Sequence, residues 1–189
     1  MYLFFDTETT GLPKKKNSPL SDFDNWPRMV QLAWILYDNS GKELIRKNQI
    51  IKPEGYIIPK VVERIHGIST QRAQREGIPL QVALEDFSKA IDNSKHIIAH
   101  NIIFDESIIG AEFLRKDVQH KLFEKTRICT KEISTNFCKI PSRRGYKWPT
   151  LSELHTILFG ENFLNVHNAI FDVEACARCF FELQRKEVI

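Results

Sequence analysis

The order in which apolar segments follow one another constrains the fold of this chain more than any other feature. Three strand-like segments come first, at residues 2–6, 29–38 and 43–52. The short turn Asp38–Gly41 joins the second segment to the third as a β-hairpin. Beyond them, strand-like and helix-like patterns alternate. This order predicts an α/β domain in which helices cover a mixed sheet.

Turn and capping residues divide the rest of the chain into elements. One helix is predicted to begin at Pro59 and end at Gly67, and Ser69 caps a second that ends at Gly77. Residues 13–27 are polar and predict a surface loop. The other predictions are strands at 96–100 and 126–130, and helices at 79–93, 104–116, 131–138, 150–158 and 167–186.

Length and composition predict a single domain over residues 1–189. The 189 residues suffice for one sizeable core but not for two. No apolar run is long enough to span a bilayer, and an acidic motif stands where a signal peptide would have a basic leader. We therefore expect a cytoplasmic protein without a membrane segment. The net charge of +3 permits a nucleic-acid partner without requiring one.

Four cysteines raise the question of zinc or redox chemistry. Cys176 and Cys179 have CxxC spacing, but they lie within a helical pattern, and Cys129 and Cys138 do not form a second close pair. Reduced cysteines that pack as small apolar side chains are the favoured interpretation.

The first strand-like segment ends in two acids. Asp6 and Glu8 are two positions apart in an extended chain, so their carboxylates point to the same face. Neighbouring carboxylates repel each other, and at a buried strand end both need compensation. Hard divalent cations such as Mg²⁺ or Mn²⁺ supply it. A turn with solvated acids explains the same residues, and this motif alone leaves both interpretations open.

Two further motifs carry acids near apolar segments. Asp105 follows the predicted strand at 96–100 and opens a helix. An acid at a helix start is commonly a cap or a partner of the helix dipole, and taken alone this motif favours that interpretation. His167 precedes Asp172 by five residues. On one helix this spacing turns through about 500°, so the two side chains would not share a face. We therefore expect His167 to lie in the loop before the helix, from which it can swing toward a metal site.

Together these motifs resemble the DEDDh exonucleases, the DnaQ-like family that includes the proofreading subunit of bacterial replicative polymerase. The resemblance is carried by D-T-E-T-T-G-L at 6–12, I-H-G-I-S at 65–69, H-N-x-x-F-D at 100–105 and H-x-A-x-x-D at 167–172. One departure is Asn168, where many members have Asp. The resemblance implies a ribonuclease H-like fold, with a mixed five-stranded sheet in the order 3-2-1-4-5, strand 2 antiparallel, flanked by helices.

The activity that the resemblance implies is 3′–5′ hydrolysis of DNA to nucleoside monophosphates, in proofreading or repair. Two Mg²⁺ or Mn²⁺ ions, about 3.5–4 Å apart, are the implied cofactors. Asp6 would bridge both ions, Glu8 and Asp172 would hold the one that activates water, and Asp105 would position the second. His167 is the implied general base, because an imidazole pKa of about 6.5 suits that task.

The implied partner is the 3′ end of DNA, single-stranded or frayed. By resemblance, Thr9 would bond the 3′-hydroxyl and Leu12 would wedge against the bases, with Thr7 and Gly11 in the same segment. A core position for Leu12 is the alternative. The remaining expected contacts of the strand end are His66, Asn101 and Phe104.

A second candidate for substrate binding is the segment 143–148, Arg-Arg-Gly-Tyr-Lys-Trp. Basic residues interleaved with aromatic ones suit a loop that follows a nucleic-acid strand. We predict that Lys147 and Trp148 contact the substrate. A solvated loop with Trp148 anchored in the core remains open as the alternative. The lysines at 14–16 are interpreted as a solvated charge run.

Three rival functions use the same residues. An exoribonuclease of the same family would act on RNA, since the attacked phosphate is common to both nucleic acids. A catalytically silent nucleic-acid-binding module is disfavoured because all five chemical residues are present. A structural domain with solvated acids leaves unexplained why apolar strands lead directly into three of them. Contact with a polymerase subunit is a further possibility, and we expect it to be weak.

Overall fold

A five-stranded mixed sheet is the centre of the fold, in a computed structural model that describes residues 1–161 and 168–189. Its strands are β1 (Tyr2–Thr9), β2 (Met29–Tyr37), β3 (Glu43–Ile50), β4 (His96–Ala99) and β5 (Thr126–Cys129). They lie in the order β3-β2-β1-β4-β5. Strand β2 is antiparallel to both its neighbours, and β4 is parallel to β1 and β5. The predicted ribonuclease H-like sheet is confirmed.

Helices cover both faces of this sheet. They are α1 (Lys60–His66), α2 (Thr70–Glu76), α3 (Leu80–Asp92), α4 (Ile102–Lys116), α5 (Thr130–Ile133), α6 (Thr135–Cys138), α7 (Leu151–Phe159) and α8 (Ala169–Arg185). Side chains of β1 alternate between the two faces. Leu3 and Phe5 pack with α3 and α4, whereas Phe4 packs with α8. The central strand therefore divides the interior into two cores.

The residues that were predicted to begin and end helices do so by side-chain and backbone hydrogen bonds. The Ser69 hydroxyl accepts a hydrogen bond from the Arg72 backbone N–H at the start of α2. Thr150 and Glu153 form a reciprocal capping box at the start of α7. Gly67 ends α1 in a left-handed conformation with φ of 73°.

The structure corrects three predicted elements. Helix α4 begins at Ile102 rather than at residue 104, because Asn101, two residues after the end of β4, adopts a left-handed conformation. The helix predicted at 131–138 is two short helices, α5 and α6. They meet at Ser134, whose hydroxyl donates to the carbonyl of Thr130, an arrangement that bends helices. An unpredicted hairpin follows, formed by β6 (Pro141–Ser142) and β7 (Gly145–Tyr146).

The loop at residues 13–27 was predicted to lie on the surface, but part of it is buried. Asn25 is buried; its side chain accepts from the Lys15 backbone N–H at 2.7 Å and donates to the Lys15 carbonyl at 3.1 Å. Trp26 is buried and donates its indole N–H to the Pro19 carbonyl at 2.9 Å. These hydrogen bonds fix the loop on the protein surface, with the three lysines at 14–16 exposed.

The cysteines of α8 serve packing, as the favoured interpretation held. Cys176 and Cys179 are buried, and Cys176 belongs to the core between β1 and α8. Both are free thiols. Among the helices formed by residues 1–161 and 168–189, none combines the length and the apolar character that crossing a membrane requires.

The core on the α3 side predicts the stability effect of one substitution. Phe87 is fully buried, with its ring centroid 5.5 Å from that of Phe5 and 5.3 Å from that of Trp34. We expect Phe87→Ala to lower the free energy of unfolding by about 3–5 kcal/mol, measured by urea titration, because it leaves a cavity against the central strands. Val82→Ala, at an exposed position of the same helix, should cost less than about 0.5 kcal/mol. Equal losses would contradict this assignment of the core.

Candidate active site

Three carboxylates meet at the C-terminal end of the central strand. Asp6 and Glu8 lie on the same face of β1 as Phe4, which packs against α8. Asp172 lies in the first turn of α8. One carboxylate oxygen from each of Asp6, Glu8 and Asp172 lies within 4.8 Å of the others. The three side chains are partly buried. Because the spacing of two residues sets the face, the strand itself directs both of its acids at the helix.

Asp105 reaches the same end of β1 from the opposite face. It is buried in the first turn of α4 and accepts two hydrogen bonds on one oxygen, from the Thr7 backbone N–H at 3.0 Å and the Thr7 hydroxyl at 2.7 Å. Thr7 lies between Asp6 and Glu8 in sequence but points to the other face of the strand. The predicted substrate residue Thr7 therefore anchors an acid in this structure.

Burial and the proximity of like charges raise the pKa values of three of these four acids. Burial, and then the charges of Asp105, Asp172 and Glu8, raise the pKa of Asp6 well above its ordinary value. Burial and the charge of Asp172 raise the pKa of Glu8 to about 8. Burial raises the pKa of Asp105 to about 7, although the Thr7 hydrogen bonds act in the opposite direction. Without a compensating cation, part of this cluster carries protons at neutral pH.

These residues suit a divalent cation of the hard class. Asp6, Glu8 and Asp172 offer carboxylate oxygens close enough to share one ion, and Mg²⁺ and Mn²⁺ prefer such donors. The raised pKa values point the same way, because a bound cation would favour the charged forms that burial and mutual repulsion oppose. The alternative of solvated acids does not fit Asp105, which is buried.

The predicted general base, His167, lies outside the described residues. The helix that carries Asp172 begins at Ala169, and Asn168 is its N-terminal flanking residue.

The turn after β1 exposes one of the residues predicted to contact the strand end, Leu12, and buries another, Thr9. Leu12 is 81% exposed, so the alternative of a core position for it is wrong. Thr9 is buried, and its hydroxyl donates to the Gly11 carbonyl at 2.6 Å. Gly11 itself has φ of 154°, a conformation that side-chain-bearing residues rarely adopt. The turn thus presents Leu12 outward while fixing Thr9 beneath it.

Three other predicted contacts occupy defined positions. His66 is buried at the end of α1, and its Nδ1 accepts from the Ile68 backbone N–H at 3.1 Å. Phe104 is partly buried against the core on the α4 side. Asn101 precedes α4 with φ of 82°, and its side-chain oxygen accepts from the Lys131 ammonium at 2.7 Å.

Residues Lys147 and Trp148 follow the hairpin of β6 and β7. Trp148 is 59% exposed, so the alternative that anchors it in the core is wrong. The Lys147 ammonium donates to Glu153 of α7 at 2.6 Å, which turns this side chain toward the protein. Sequence reasoning missed Lys131, which contacts both Asn101 and the Trp148 ring. Its position just after β5, beside the end of the parallel strand β4, was the signal that could have found it.

Comparisons with known proteins give a consistent result. The family model RNase_T, described as "Exonuclease", matches residues 3–180. A search of curated proteins found no match. Similar solved structures include E. coli exonuclease I in complex with a dA16 oligonucleotide, with a TM-score of 0.77 at 19% identity over 98% of this chain. The zinc-bound form of the E. coli exonuclease I–ssDNA complex gives a TM-score of 0.78 at 20% identity over 98% of this chain. The chain spans 41% of the length of each of these two proteins, and at such identity the likeness shows the fold.

The raised pKa values predict how the stability of the metal-free protein depends on pH. With folded-state pKa values of about 8 for Glu8 and about 7 for Asp105, these two carboxyl groups bind more protons in the folded protein than in the unfolded chain between roughly pH 4 and 8. In EDTA, their contribution to the free energy of unfolding should therefore fall as the pH rises through this window. We expect saturating Mn²⁺ to reduce the fall and Glu8→Gln to flatten it, in urea titrations at several pH values. A metal-free stability that rises from pH 5 to 8 in wild type, but not in Glu8→Gln, would contradict the electrostatics described above.

Proposed function

The chain belongs to the RNase_T exonuclease family, and we propose that this nuclease removes nucleotides from the 3′ end of DNA in a metal-dependent reaction. The observation that carries this proposal is the meeting of Asp6, Glu8 and Asp172 within 4.8 Å, with Asp105 fixed beside them by Thr7. The oligonucleotide complexes of the similar exonuclease I structures support single-stranded DNA as the substrate.

In the proposed site, Asp6, Glu8 and Asp172 would hold divalent cations, and Asp105 would complete the acidic shell from the α4 side. Bound cations of this kind lower the pKa of water and neutralise charge on the phosphate and the leaving oxygen. His167 accepts the proton of the attacking water, since it precedes α8 by two positions and its ordinary pKa suits a base near neutral pH. We place the activity in DNA proofreading or repair.

The strand end would lie over the turn that follows β1. Leu12 presents 81% of its surface to solvent there, beside the Thr9 hydroxyl that Gly11 holds in place. His66, Phe104 and Asn101 are the further proposed contacts of the terminal nucleotide. An exonuclease recognises a terminus rather than a sequence, so contacts with sugar, phosphate and base faces suffice.

A matched pair of oligonucleotides tests the proposal. We expect 5′-labelled single-stranded DNA to be shortened stepwise from its 3′ end with Mg²⁺ or Mn²⁺ and to remain intact in EDTA. Asp6→Asn should abolish the ladder, because it removes a carboxylate from the cation site. Asp92→Asn, which changes an exposed acid paired with Lys121, should leave it intact. A ladder mainly on RNA would replace the proposed substrate, and wild-type turnover in Asp6→Asn would refute the proposed site.

The role of His167 has its own signature. His167→Ala should slow the single-turnover rate by roughly 10²–10⁴-fold, because one acid–base group contributes about that much. The pH–rate profile should also lose the limb that rises with deprotonation of an imidazole. If both rate and profile stayed at wild-type values, another group would have to be the base.

A further inference from the structure

A short arm is attached by defined contacts to residues that follow β4 and β5. We call residues 139–149 the hairpin arm; it contains the paired strands β6 and β7, with the exposed Arg143 and Arg144 at its tip. Its base is closed by the Lys147 backbone N–H, which donates to the Ile140 carbonyl at 2.9 Å. The arm is therefore an ordered, basic projection between α6 and α7.

His100 fastens the end of the arm to the sheet. Its Nε2 lies 3.1 Å from the Pro149 carbonyl oxygen, and its Nδ1 lies 3.0 Å from the Thr130 hydroxyl. A carbonyl oxygen only accepts hydrogen bonds, so Nε2 carries the proton. Burial lowers the pKa of His100 to about 4, so the ring is neutral and Nδ1 accepts from Thr130. His100 directly follows β4, which places the arm at the same edge of the sheet as the acids.

Lys131 connects the arm to the start of α4. Its ammonium lies 4.4 Å from the centroid of the Trp148 ring, a cation–π contact, and 2.7 Å from the Asn101 side-chain oxygen. Asn101 in turn precedes α4, and Asp105 lies in the first turn of that helix. Trp148 is thus linked through Lys131 and Asn101 to the start of the helix that carries Asp105, while 59% of it remains exposed.

A single exposed aromatic residue would need no explanation by itself. Trp148 differs because the next residue, Pro149, is hydrogen-bonded to His100. Its ring also contacts the Lys131 ammonium, which is itself hydrogen-bonded to Asn101. Exposed aromatic rings beside basic side chains are the elements from which proteins build sequence-independent platforms for single strands. The basic tip of the arm supplies the charge that a phosphate backbone requires.

We propose that Trp148 is a stacking platform for a base of the bound single strand, and that Lys131 is a positioning residue that holds the indole and ties it to Asn101. The proposal rests on the proposed nuclease function and names how that site holds the strand adjoining the terminal nucleotide. Lys131 touches no reacting atom. Its effect is to keep the platform at a fixed place relative to the helix that carries Asp105.

Intrinsic fluorescence tests the platform without any cleavage. The chain has three tryptophans, and Trp26 and Trp34 are buried, so a change in emission on binding reports on Trp148. In EDTA, a thymidine oligonucleotide should quench the wild-type emission, and Trp148→Leu should weaken binding about ten-fold by anisotropy of a labelled strand. Phe23→Leu, at an exposed aromatic ring that also carries a cation on its face, should bind like wild type. Binding with unchanged tryptophan emission would overturn the platform, and so would the absence of any binding.

An abasic scan then locates the stacked base and tests Lys131. Single abasic nucleotides placed successively from the 3′ end should weaken wild-type binding at one position, and Trp148→Leu should be insensitive at that same position. Lys131→Met should raise KM about ten-fold with kcat within about two-fold, and Lys131→Arg should restore most of the loss. If Lys131→Met instead lowered both kcat and thermal stability, and Lys131→Arg restored neither, Lys131 would be a structural residue only. Since the binding arms need no hydrolysis, a protein that binds and quenches but does not cleave would refute the nuclease proposal alone.

Discussion

Repulsion among four carboxylates is the constraint around which this structure is arranged. Asp6, Glu8, Asp105 and Asp172 are brought to one end of β1, where burial and mutual charge raise the pKa of three of them. Such an arrangement opposes folding unless protons or cations compensate it. The two cores on either side of the sheet supply the apolar burial that holds the acids together. Binding of the proposed cations would therefore be linked to fold stability through the same side chains.

The period of two along a strand explains how one segment can organise acids from two helices. On one face, Phe4 packs against α8 and the acids Asp6 and Glu8 follow it toward Asp172. On the other face, Phe5 packs against α3 and α4, and Thr7 follows it to bind Asp105. A shift of one residue in the pairing of β1 would exchange these two sets. The tight apolar packing on both faces fixes the register, and the register fixes the site.

Local patterns in the sequence predicted the strands and the motifs that carry the acids, whereas the order of the sheet and the grouping of the four acids were implied by the family resemblance. These patterns are local because each involves residues close together in the sequence. The caps Ser69 and Thr150, for example, bind backbone groups three residues further on. The left-handed Asn101 could not be predicted in this way, because its conformation is supported by Lys131, 30 positions away. The same applies to Thr7, whose contact with Asp105 joins positions 98 residues apart. Pairing across a parallel sheet brings such residues together, and no local pattern records it.

The turn after β1 adds a chemical argument for recognition of a free strand end. A hydroxyl oxygen has one proton to donate and two lone pairs to accept with. Thr9 donates its proton to the Gly11 carbonyl at 2.6 Å, and the Gly11 backbone N–H approaches one lone pair at 3.4 Å. What remains toward the proposed substrate is an acceptor. A terminal 3′-hydroxyl can donate to it, whereas a terminal 3′-phosphate dianion has no proton to offer. In the proposed exonuclease, the geometry of this turn thus favours a hydroxyl terminus by hydrogen-bond polarity, independently of the base that the nucleotide carries.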